Sequence, residues 1–136
     1  MLRPTSDEVF ANVIASVDDI IKPAVTDPYA ASIVLTASNL MRHLRARTAQ
    51  EPEALWEDNR DLRSLLADIG VEAPSAPDPA LFPTLVRLID EAVVLRTALD
   101  DYVQQHPGDE RVRAYLARQL ERQRPWMIEA WEGARR

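Results

Sequence analysis

Apolar residues recur three and four positions apart through most of the chain, and strict alternation over strand lengths is missing, so the pattern predicts helices. The first begins at Pro4-Thr5-Ser6-Asp7-Glu8, where Thr5 can cap the free amides and Glu8, three residues later, completes a capping box. Val9, Phe10, Val13, Ile14, Val17, Ile20 and Ile21 form its apolar stripe, and Pro23 is expected to end it, because proline has no amide donor and disfavours helix in the residue before it. Asp27-Pro28 opens a second helix as N-cap and first turn, with Ile33, Val34, Ala37, Leu40, Met41 and Leu44 on one arc and an end near Thr48. Glu51-Pro52 opens a third, striped by Leu55, Leu62, Leu65, Leu66 and Ile69, and Gly70 stands where a left-handed C-cap belongs.

Residues 71–80 hold three prolines and form the one clear linker, of a length that suits a crossover between packed helices or an ordered lid. Asp78-Pro79 is a cap for the fourth helix, although Pro83 can delay its regular part; its apolar set is Leu81, Phe82, Leu85, Leu88, Ile89, Ala92, Val93, Leu99 and Val103, and it runs to about Gln104. His106-Pro107-Gly108-Asp109 is a turn whose Asp109 caps a fifth helix bearing Val112, Tyr115, Leu116 and Leu120. Pro125 either kinks that helix or starts a short last one with Trp126, Met127, Ile128 and Trp131. The expected architecture is all-α, an antiparallel four- to five-helix bundle forming a single domain over 1–136.

Composition narrows the chemistry. A chain of 136 residues supports one core, and its 46% apolar and 28% charged residues are those of an ordinary soluble globule without a membrane span. Zero cysteines exclude disulfides, thiolate zinc sites and a cysteine nucleophile, and three glycines leave no phosphate-cradling loop. The net charge of −6 argues against nucleic acid as a partner. The opening residues hold no apolar signal region, which points to the cytoplasm, and fifteen arginines against the single Lys22 suggest a GC-rich bacterial source.

Several polar residues break the apolar arcs. Arg96 sits among Ile89, Ala92 and Leu99, where a guanidinium needs either a carboxylate from a neighbouring helix or a bound phosphate or carboxylate. Asn59, between Leu55 and Leu62, either fixes helix register or faces the same ligand. Ser32, Thr36, Asn39 and His43 form a polar seam in which His43 is the candidate acid or base. Arg111, Tyr115, Arg118 and Arg122 make a basic strip that can meet nucleotide or coenzyme phosphates, or an acidic protein, and Trp126 with Trp131 offers an apolar contact for a partner or a second copy.

Two enzyme classes can be tested against these residues. A ferritin-like di-iron site needs Glu-x-x-His motifs, and neither His43 nor His106 follows a glutamate by three. An all-α nucleoside triphosphate pyrophosphohydrolase needs acids at set spacings to hold magnesium; Glu57, Asp58, Asp61, Asp90, Glu91, Asp100 and Asp101 supply acids without those spacings. No Gly-x-Ser-x-Gly occurs, no catalytic residue or metal ligand is assigned, and no cofactor is expected.

The arrangement of Arg3-Pro4 before a helix, Ala37-Ser38-Asn39-Leu40 with Arg42, and Leu62-Arg63-Ser64-Leu65-Leu66 ahead of a glycine resembles, over the first half of the chain, a family of small all-helical bacterial proteins. These are similar to the accessory subunit of the kinase that phosphorylates 4-hydroxyacyl-CoA esters in levulinate-type catabolism. The resemblance implies a non-catalytic partner of an aminoglycoside-phosphotransferase-like kinase, acting beside an acyl-CoA dehydrogenase-like enzyme, with Asn39 and Arg42 as the carried-over positions. The leading expectation is therefore a helical interaction or accessory protein with a protein partner or homo-oligomeric state. The alternative is an anion-binding or metal-dependent helical enzyme using Arg96 and Asn59, with Asn39 and His43 beside them.

Overall fold

Thr5 starts the first helix by a reciprocal pair of bonds. Its hydroxyl accepts from the Glu8 amide at 3.2 Å, and the Glu8 carboxylate accepts from the Thr5 amide at 2.8 Å. The computed structural model describes residues 3–78 and 83–133, without the side chains of 129–133, and every regular element among them is helical. Helix α1 (Ser6–Ser16) passes into a π-helical turn (Val17–Ile21) and closes on a short turn (Lys22–Ala24). Helix α2 covers Pro28–Asp68, α3 Leu85–Gln105 and α4 Glu110–Gly133, giving an all-α helical bundle. Leu81, Phe82 and the Trp131 side chain, assigned to apolar surfaces from sequence, lie outside the described residues.

Two prolines, Pro23 and Pro52, act differently from the sequence expectation. Pro23 does not stop the first helix ahead of itself; it falls in the first turn after the π segment, where a missing amide is tolerated, and the chain leaves helix only at Val25. Pro52 lies inside α2, so the expected break between residues 48 and 51 is absent, and Pro125 lies inside α4, which continues past it rather than ending for a short last helix. An interior proline costs about 3 kcal/mol of helix stability, and α2 continues because both sides of Pro52 are anchored by their own packing. At the start of α3 the cap is Thr84, whose hydroxyl accepts from the Arg87 amide at 3.4 Å, and not Asp78.

The remaining ends follow the sequence. Asp27 caps α2 by accepting from the Ala30 amide at 2.8 Å, and Asp109 caps α4 by accepting from the Arg111 amide at 2.9 Å. Gly70 adopts a φ of 74°, which allows the Val71 amide to reach the Leu66 carbonyl and the Gly70 amide to reach that of Ala67. That double bond satisfies the last carbonyls of α2 and folds Val71 back onto the core beside Leu66.

The chain divides into two compact units, residues 51–123 and residues 1–50 with 124–136. In the first, Leu62, Leu65 and Leu66 of α2 meet Leu95 and Leu99 of α3 and Val112 and Tyr115 of α4 in one buried cluster. Asn59 and Arg63 bond to Leu88 and Glu91 in the same order along both helices, so this part of α2 runs parallel to α3. Asp58, Asp61 and Asp68 meet Arg122, Arg118 and Arg111 in reverse order, so α4 is antiparallel to α2. The long connection after Gly70 is what permits the parallel pair, as in bundles with a crossover.

In the other unit Ser38 is fully buried, and its hydroxyl donates to Asp18 at 2.7 Å while accepting from Arg42 at 2.6 Å; Arg42 also pairs with Asp18. Arg45 forks onto Asp7 at 2.6 and 2.9 Å. The face of α2 that packs here is therefore the one bearing Ser38 and Arg42, and Ile33, Leu40 and Leu44 of the expected arc are exposed. On the first helix only Ile14 of the expected stripe is buried; the π turn, with more residues per turn than an α-helix, rotates Ile20 and Ile21 to the surface.

Candidate functional site

Within residues 51–123 the densest group of charges is built on Asp58 and Asp61, one helical turn apart on α2. Asp58 is 3% exposed, and Asp58 Oδ2 accepts from Arg96 at 3.0 Å, from the Tyr115 hydroxyl at 3.1 Å and from Gln119 Nε2 at 3.2 Å. Its other oxygen accepts from Arg122 at 3.0 Å. Arg118 forks onto Asp61 with bonds of 2.8 and 2.7 Å, and Arg122 bridges the two acids by adding a 2.8 Å bond to Asp61. Two like charges at this spacing repel on an isolated helix, and the bridging guanidinium converts the repulsion into a shared attraction.

The electrostatics follow from these contacts. The Arg118 fork, reinforced by Arg122, holds the Asp61 carboxyl below the usual carboxylate range against the opposing effect of burial. Burial, followed by the Asp58 charge, pushes the Tyr115 phenol up and keeps it a donor. A carboxyl whose folded value lies below its unfolded one stabilises the fold above the unfolded pKa, near 3.9, and that stabilisation disappears as pH falls through the folded value. Asp61→Asn is accordingly expected to lower the urea midpoint at pH 7 and to lose its effect progressively below about pH 4, where the wild-type acid also becomes neutral. A difference unchanged between pH 7 and pH 2 contradicts the assignment.

A second group lies along the α2/α3 contact. Asn59, 2% exposed, donates to the Leu88 carbonyl at 3.0 Å and to Glu91 at 3.3 Å, while its own oxygen has no hydrogen-bond partner among the described residues. Arg63 donates to Glu91 at 2.7 Å and to the Pro74 and Ser75 carbonyls, tying the proline-rich segment to the helices. A cleft of about 370 Å³ opens beside this latch, lined by Arg63, Pro74, Pro77, Pro83, Arg87 and Glu91.

The sequence-selected residues are thus distributed as follows. Arg96 is paired to Asp58 across the bundle, with its Nε buried and without a hydrogen-bond partner among the described residues, and Asn59 is beside Leu88 and Glu91. The basic strip is not a free surface: Tyr115 is buried, and Arg111, Arg118 and Arg122 close on carboxylates of their own unit, because the face they share points at α2. Arg111 also reaches the Asp68 carbonyl and the Tyr102 hydroxyl, which donates to Asp109. In the other unit Asn39 and His43 are half-buried on α2, the Asn39 oxygen has no hydrogen-bond partner among the described residues, and Trp126 is buried where a contact residue was expected. Sequence reasoning missed Asp58 as a buried group, although its spacing to Leu62, Leu65 and Leu66 places it on the core stripe.

Among the described residues no group of three or more acidic or histidine side chains is placed to hold a metal ion, and no helix is long and apolar enough to cross a membrane. Neither a protein-family model, nor a curated protein, nor a solved structure matches the chain.

Proposed function

We propose that this chain is a helical interaction protein that binds another protein through the outer face of α3. The observation that carries the reading is a continuous apolar stripe, Val86, Ile89 and Val93, exposed by 67, 42 and 59% on a helix whose packed face, about 120° round the helix, is already filled by Leu88, Ala92, Leu95 and Leu99. Large apolar side chains at helical spacing on a face with no internal use mark a contact surface. Leu116 and Leu120 on α4 enlarge the exposed apolar area of the same unit. The anion-binding alternative draws less support, since the charge of Arg96 is already matched by Asp58. An accessory subunit of a phosphotransferase-like hydroxyacyl-CoA kinase is the specific form of this reading that the first-half resemblance implies.

Native mass spectrometry of the full chain purified from its own cells tests the proposal. The expected species is a stoichiometric complex with a second protein, lost when Val86 and Val93 are both changed to glutamate. A kinase in that complex supports the accessory role. A bare chain, or one carrying only a small anion, overturns the interaction reading.

A further inference from the structure

The charge on the chain is distributed unevenly. Residues 51–123 hold fifteen carboxylates against eight arginines, a net −7, whereas the rest of the chain carries a net +1. Most of the arginines in this acidic unit are spent internally, since Arg63, Arg96, Arg111, Arg113, Arg118 and Arg122 all bond to acids of the same unit. The surplus negative charge has to sit elsewhere, and part of it sits on α3.

At 100° per residue, Asp90, Asp100 and Asp101 fall on the same arc, about 120° wide, as the Val86, Ile89 and Val93 stripe. All three carboxylates are exposed, and none has a hydrogen bond or ion pair among the described residues. The outer face of α3 therefore joins an apolar stripe to three carboxylates that form no ion pair among the described residues, with Arg87 lining the same cleft as Asp90.

We infer that the occupant of this face is a basic amphipathic helix, with apolar residues laid on Val86, Ile89 and Val93 and lysine or arginine side chains beside Asp90, Asp100 and Asp101. This deepens the interaction reading and rests on it. A second copy is disfavoured as the occupant, because apposing two such faces brings six unpaired carboxylates together, and like-charge apposition is costly at an interface. A basic partner gains both burial of the stripe and pairing of the acids, and electrostatic attraction speeds its approach.

The test uses the full chain and two synthetic helical peptides of about five turns. Both carry leucines at i, i+3, i+4 and i+7; one has flanking lysines and the other flanking glutamates. Binding is read by fluorescence anisotropy at about 0.05 M and about 0.5 M salt, concentrations on either side of effective screening. The lysine peptide is expected to bind about tenfold more tightly than the glutamate peptide at low salt, with the preference collapsing at high salt. Val93→Glu, at an exposed position that leaves the helical circular dichroism intact, is expected to abolish binding. The triple change Asp90→Asn, Asp100→Asn and Asp101→Asn is expected to remove the lysine preference and keep the apolar contribution.

Equal binding of the two peptides overturns the basic-partner inference and leaves the interaction reading standing. Binding unaffected by Val93→Glu overturns the inference by placing the site elsewhere. A homodimer that Val93→Glu dissociates replaces the basic partner with a second copy. If neither peptide binds and native mass spectrometry shows the chain alone, both the inference and the interaction reading fall.

Discussion

Replacing Asp58 with alanine is expected to destabilise the 51–123 unit by about 3 kcal/mol, the low end for removing one side of a buried ion pair because its charged donors keep water or a second acid. Asp58 accepts four hydrogen bonds, and the donors do not recover equally when it is lost. Arg96 is 41% exposed along its side chain and can return to water. Arg122 retains Asp61. The Tyr115 hydroxyl belongs to a side chain 1% exposed and is left without an acceptor, a loss that by itself costs about 1–3 kcal/mol. The measurement is equilibrium urea unfolding at pH 7, with Tyr115→Phe made alone and in the Asp58→Ala background. In the wild type the phenylalanine change should cost about 1 kcal/mol, whereas beside alanine it should be neutral or stabilising, because it removes an orphaned donor. A loss below about 1 kcal/mol for Asp58→Ala would reduce the cluster to the rank of a solvent-screened surface network.

The same cluster shows where a one-dimensional reading reaches its limit. Helix identity and most helix ends were legible because they depend on neighbours in sequence: Thr5 with Glu8, Asp27 ahead of Pro28, Asp109 ahead of α4, and Gly70 with its positive φ. The buried face of each helix was less legible, because it depends on which neighbour the helix meets. On α3 the expected apolar arc centres near Leu85 and Val103, while the packed face centres on Leu88, Ala92, Leu95 and Leu99, a rotation of roughly 50° at 100° per residue. That rotation moves Arg96 from the middle of the core to its edge, where Asp58 reaches it, and it turns Ile89 and Val93 outward.

Proline was the second source of error, and its physics explains why. The local cost of an interior proline is independent of tertiary contacts, but whether a helix tolerates it is not. Residues 28–50 are held through Ser38, Arg42 and Arg45, and residues 53–68 through Asp58, Asn59 and the leucines, so each side of Pro52 is fixed by contacts that no local rule includes. For the candidate site the difficulty was pairing. Periodicity places the arginines of α4 on one face but does not say that Asp58 and Asp61 occupy the facing turn of α2. A basic strip and an internal ion network therefore read alike in sequence.

Leu95→Ala is expected to cost about 2–5 kcal/mol, while Val94→Ala, one residue earlier, should change stability by no more than about 0.5 kcal/mol. The decisive difference is burial: Leu95 is fully buried in the cluster with Leu62, Leu66 and Tyr115, and Val94 is 51% exposed. Truncating Leu95 leaves a void that three helices must close, and close packing allows only partial collapse. Val93→Ala should likewise lie within about 0.5 kcal/mol, because its side chain is 59% exposed. Urea unfolding of the three variants therefore separates the two faces of α3 thermodynamically. A large loss for Val93→Ala would place the stripe inside the folded chain and leave no apolar surface there for a partner, whereas a large loss confined to Leu95→Ala shows that the outer row of α3 is dispensable for folding and free to bind.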